Sequence, residues 1–167
     1  RLIGGGSAAS VQTVRLEVSQ SRLRNDPNPQ AVLEAAIRDR LAGTAYANAA
    51  VVVVVEGAAG FGCGWEGTTA VVIPIENCGT TPTSDSVWPG GMSYLVAHEL
   101  THLLGAVEAC APHHVNGHVD DDPRDILYEG PAERVWDDLR LDVGRDDYYA
   151  HSIPGCADIA TSPFLTG

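Results

Sequence analysis

Five residues near the middle of the chain, His98-Glu99-Leu100-Thr101-His102, combine the donor types and the spacing of a metal site. On an α-helix, residues four apart lie one above the other on the same face, so His98 and His102 can reach a single divalent cation. Glu99, next to the first imidazole, is positioned to act as general base toward a water that such a cation activates. Zinc lowers the pKa of its bound water to about 7 and polarises a substrate carbonyl. Peptide-bond hydrolysis with His98 and His102 as zinc ligands is the chemistry this set favours. Histidine and glutamate at this spacing also occur on ordinary helices with no metal, so the flanking residues decide. Here the motif sits in an apolar stretch, Gly105 follows three residues after His102, and His113, His114 and His118 lie close downstream.

A helix carrying the motif should place Val96, Leu100, Leu103 and Val107 on one face and the two histidines opposite. Gly105 admits a left-handed conformation that stops the helix and turns the chain back. A third ligand can then come from the following segment, where Glu108, His113, His114 and His118 compete.

The pattern His98-Glu99-x-x-His102-x-x-Gly105 resembles the metzincin metallopeptidases. That resemblance implies a third ligand soon after the glycine and a tight turn beneath the metal that carries a methionine. Asp125-Ile126-Leu127-Tyr128 is similar to that turn, with Leu127 where methionine is expected. The family's usual third position corresponds to Glu108, and snapalysin-type enzymes use an acidic residue there. His118, however, lies nine residues before Leu127, close to the interval in matrixins, and is favoured over Glu108 and His113. Residues 106–117 then form an insertion pinned by Cys110. Some relatives use a tyrosine near this turn as a transition-state hydrogen-bond donor, which makes Tyr128 a candidate for that role, although a packed tyrosine is the commoner case. Gly105-Ala106-Val107-Glu108, Ala111-Pro112-His113, Gly117-His118 and Asp146-Asp147-Tyr148-Tyr149 are similar to a group of secreted actinobacterial metzincin-like proteins, a likeness covering chiefly residues 94–165.

The elements that must carry this site are legible upstream. Residues 11–18, with β-branched side chains in partial alternation, read as a first strand. Asn28-Pro29 is an N-cap followed by a first-turn proline, and Val32, Leu33, Ala36, Ile37 and Leu41 form an apolar stripe that ends before Gly43. Five valines, Val51 to Val55, suggest a central strand buried on both faces. Residues 68–75 read as a further strand with Pro74 suited to an edge, along which an extended polypeptide substrate would lie. Beyond Gly105 only residues 132–139 look helical. The expected fold is α/β of the α+β, zincin-like kind: a twisted mixed sheet, a backing helix, an active-site helix and an irregular C-terminal subdomain. Residues 1–167 are read as one catalytic domain, divided at 105 into N-terminal and C-terminal subdomains.

Composition narrows the partners. The net charge is -12, with 22 acidic residues against 10 basic ones, all arginine, which argues against nucleic acid. Half of the acidic residues fall between Asp120 and Asp147; a solvated surface is preferred to Ca²⁺ ligands because no calcium-loop spacing is recognisable. Four cysteines fit two disulfides in an oxidising compartment, with Cys63–Cys78 and Cys110–Cys156 favoured among three connectivities, against buried free thiols. No apolar run approaches the roughly 20 residues that span a bilayer. A secreted monomer without a membrane partner is expected, and the start at Arg1 suggests a processed product. Against the endopeptidase stand two other readings, a non-catalytic zinc-stabilised binding module and a zinc amidase.

Overall fold

The computed structural model describes residues 15–44, 46–56, 65–66, 70–74 and 91–165. Of the expected first strand, residues 11–14 lie outside this set, and residues 15–18 form no strand; Leu16 and Val18 pack against the core instead. A short helix not anticipated from the sequence follows, α1 (Gln20–Asn25), capped where the Ser19 hydroxyl accepts from the Arg22 amide at 3.2 Å. The backing helix α2 (Pro29–Leu41) begins as expected: the Asn28 side chain accepts from the Ala31 amide and Pro29 occupies the first turn, where a missing amide costs nothing. Beyond its end Gly43 takes φ +73°.

Three strands follow, β1 (Val51–Val55), β2 (Trp65–Glu66) and β3 (Ala70–Pro74), in the order β1-β3-β2. β1 and β3 are parallel, from Val51 opposite Ala70 to Val55 opposite Pro74, and β2 runs antiparallel to β3 with Trp65 opposite Val72. The mixed sheet is as expected, but the strand positions are not. β3, anticipated at an edge, is the middle strand of the described sheet, and its Ala70, Val71, Val72 and Ile73 are all buried. The valine strand β1 is covered on one face only: Val52 and Val54 are 40% and 49% exposed, while Val51, Val53 and Val55 face inward. The cause is what packs on each side. Ala70 and Val72 of β3, with Val55, meet Leu23 of α1 and Leu33 and Ile37 of α2. Val71 and Ile73 on the opposite face meet Leu95 and Leu103 of α3 (Gly91–Leu103). Helix α3 packs on β3 and β2, leaving the second face of β1 to solvent. Val96 and Leu100 join this contact as expected, whereas Val107 falls past the helix end into a second, lower cluster.

That lower cluster holds Ala106, Val107, Ala111, Val119, Leu127, Tyr148 and Ile159. Regular structure here is sparse, as expected: a hairpin of β4 (His114–Val115) and β5 (His118–Val119) and two 3-10 turns. Residues 132–139 do not form the anticipated helix; only Trp136–Asp138 make a 3-10 turn. Backbone amides of this segment are committed elsewhere, Ala132 to the Tyr128 hydroxyl and Val135 to Pro123 O, and Arg140 just beyond it pairs with Arg124 and Ile126. A disulfide joins Cys110 to Cys156, as favoured from the sequence; the Cys63–Cys78 expectation lies outside the described residues.

Three of the acidic residues read as solvated are instead buried. Asp125, 1% exposed, accepts from the Leu127 amide, the Tyr148 hydroxyl and the Val143 amide. Asp142 accepts from the amides of Asp146, Asp147, Tyr148 and Tyr149, and Asp147 accepts from both the amide and the ring of His113. In a segment with few helices or strands, these carboxylates satisfy amides that would otherwise be buried without partners. Among the described residues no helix is long and apolar enough to cross a membrane.

Candidate metal centre

Helix α3 presents His98 and His102 one turn apart, with ring centroids 4.9 Å from each other. Past Leu103 the Gly105 amide bonds back to His102 O and the Ala106 amide to Thr101 O, with Gly105 at φ +116°. That conformation is strained for any residue with a Cβ, and it is what reverses the chain after the helix. The returning Ala106 carbonyl then accepts from His102 Nδ1 at 2.9 Å.

His118 arrives on the β4–β5 hairpin. Its turn is the two-residue pair Asn116-Gly117, with φ +49° and +81°, the left-handed signature of a tight hairpin turn. Its ring centroid lies 5.1 Å from that of His98 and 4.9 Å from that of His102. Among the described residues, His98, His102 and His118 thus form a group able to hold a metal ion, with ligand atoms all within 4.8 Å of one another.

The protonation of each ring follows from its partners. His98 Nδ1 faces the Ile126 carbonyl at 2.9 Å, His102 Nδ1 faces Ala106 O, and His118 Nδ1 faces Asn116 O at 3.1 Å and the Glu129 carboxylate at 2.9 Å. Carbonyls and carboxylates only accept, so each Nδ1 carries the proton and Nε2 is the nitrogen with a lone pair able to bind an ion. His98 Nε2 and His118 Nε2 are 3.2 Å apart. Two nitrogens bound tetrahedrally to one zinc at about 2.0–2.1 Å are separated by about 3.3 Å, so the spacing suits a shared ion. Burial first, then the neighbouring His102, His118 and Arg134, pushes His98 down to about 4 against the raising effect of Ile126 O. It is therefore neutral, the ligand form, at physiological pH.

The remaining residues singled out by sequence sort as follows. Glu99 is buried, 8% exposed, on the same helix. Glu108 lies away from the histidine group, its carboxylate accepting from the Ala157 amide beside the Cys110–Cys156 bond. His113 is held by Asp147, with Asp121 and Asp146 nearby, and the hydrogen bond to Asp147 raises its pKa. His114 Nε2 accepts from the Gly117 amide, and His151 bonds locally to Ile153 and Ala157. The turn Asp125 to Tyr128 lies against the histidine group through Ile126 O, with Leu127 fully buried behind it. Tyr128 is 5% exposed and its hydroxyl accepts from the Ala132 amide at 2.9 Å.

Three residues of this neighbourhood escaped the sequence reading. Tyr94, one helical turn before His98, places its hydroxyl 3.1 Å from His98 Nδ1 and 3.4 Å from Ile126 O, and its ring against Trp136. Arg134 donates to the carbonyls of Asp125, Ile126 and Tyr128 and lies over the rings of Tyr94, Tyr128 and Trp136. Glu129 backs His118. Only Tyr94 had a signal, its spacing of four residues before His98. No family model, curated protein or solved structure matches the chain.

Proposed function

We propose that the chain is a secreted zinc endopeptidase of the metzincin kind, with His98, His102 and His118 as ligands and Glu99 as general base. The observation that carries this reading is the convergence of three imidazoles whose Nδ1 atoms each meet a main-chain carbonyl, two from an H-E-x-x-H helix and one from a hairpin after the glycine turn. When bound, zinc supplies a Lewis acid that polarises a substrate carbonyl and brings the pKa of water to about 7. The buried Glu99 carboxylate takes the proton of the attacking water and delivers it to the leaving amine. Ile126 O and Ala106 O hold the ligand rings in register from behind. Strand β2, antiparallel to β3 and outermost in the described sheet, offers main-chain groups to an extended polypeptide, in place of the β3 edge suggested by sequence.

The test is Glu99→Ala. Purified without chelator, wild type and variant should each hold one zinc per chain, and only wild type should cleave a denatured protein substrate. Zinc without cleavage in both would turn the reading toward a binding module; no zinc in either would remove it.

A further inference from the structure

The three imidazoles differ in what stands behind them. His98 and His102 belong to a 13-residue helix and are backed by neutral main-chain carbonyls. His118 stands on a hairpin whose strands are two residues each, and a carboxylate lies behind its ring. That carboxylate is delivered by pairing: the Val119 amide bonds to Leu127 O and the Glu129 amide to Val119 O at 2.7 Å, so the Glu129 backbone is fixed beside the residue that follows His118. From there a carboxylate oxygen comes to 2.9 Å from His118 Nδ1 as an ion-pair contact, while the Nδ1 hydrogen bond itself goes to Asn116 O at 3.1 Å. A negative charge that close disfavours a lone pair on Nδ1, so the proton stays there and Nε2 is the nitrogen that can bind an ion.

We infer that Glu129 is the positioning residue of the third arm, its negative charge beside Nδ1 favouring the Nδ1-protonated tautomer that presents Nε2 to the ion. The inference rests on the metal reading above. It assigns opposite charges to the two sides of the site: the Glu129 anion behind His118, and the Arg134 cation sharing the Ile126 carbonyl that backs His98. The charge thus supports the ligand that stands on the least regular of the three elements. Carboxylates behind ligand imidazoles are worth about 10–100-fold in metal affinity, and the 52% exposure of the Glu129 side chain puts it near the lower end.

Glu129→Gln keeps the shape and removes the charge at an exposed position. Zinc affinity is read by competition with a chromogenic chelator, and the tautomers of the imidazoles by nitrogen–proton NMR on the metal-free protein. The expected result is about tenfold weaker zinc binding, with the His118 Nδ1 proton resonance moved and the His98 and His102 resonances unchanged. A general loosening of the fold would move all three rings. Equal affinity together with an unmoved His118 ring would overturn the inference. If wild type bound no zinc, the metal reading would fail by itself, and the His118 tautomer in wild type against Glu129→Gln would still decide the role of Glu129.

Discussion

Replacing Asp125 by alanine should loosen both the lower half of the protein and the proposed metal site. The carboxylate is the acceptor for three donors: the Leu127 amide at 2.7 Å, the Tyr148 hydroxyl at 2.7 Å and the Val143 amide at 3.1 Å. Val143 is half-buried and can turn to water, but Leu127 and Tyr148 are 0% and 1% exposed, so their donors would be left unpaired. Each costs about 1–3 kcal/mol. Part is returned because the carboxylate itself is costly to bury, and desolvation raises its pKa despite those bonds. The net loss is about 3 kcal/mol, which in a domain of this size lowers the melting temperature by about 6–12 °C. The same turn carries Ile126, whose carbonyl backs His98, so zinc affinity should fall at least about tenfold. Calorimetry and chelator competition read the two effects separately. A variant melting within about 2 °C of wild type would refute the assignment of Asp125 as the anchor of the turn.

Two further outcomes follow from the structure. Cys110→Ser/Cys156→Ser removes a link across 46 residues; the chain-entropy relation gives about 4 kcal/mol, read as a shift of the urea midpoint, and an unmoved midpoint would sink it. His98 titrates near 4 in the fold against 6.5 when free, so its contribution to stability is full above 6.5 and is lost as the pH falls toward 4, about 3 kcal/mol in all at about 1.4 kcal/mol per pH unit. Metal-free wild type should therefore lose more stability over that interval than His98→Gln, and parallel pH profiles would contradict the burial argument.

The H-E-x-x-H pair was readable because helical periodicity alone places i and i+4 together, and α2 was readable because its cap, proline and apolar stripe agree. β1 was readable as a strand but not as a place in a sheet: five valines report stiffness, while one-sided burial depends on how far α3 extends. The anticipated third ligand, His118, joins the other two histidines, yet that expectation came from a resemblance. Asn116-Gly117 between His114-Val115 and His118-Val119 was the local signal for its hairpin, passed over because two-residue strands show no alternation. The roles of Asp125, Asp142 and Asp147 were hidden for a related reason. Acidic residues counted along a chain look solvated, and only the folded loop reveals the amides they serve.

The carbonyls of Ile126 and Ala106 belong to the polypeptide itself, which no codon change can delete. A deep mutational scan should therefore find few side chains whose loss erases the backing of His98 or His102, apart from the ligands and residues that shape the backbone. Glu129, by contrast, is an exposed side chain behind the ring of His118, which makes it the accessible dial for an engineer who wants to tune the proposed metal site without redesigning the scaffold.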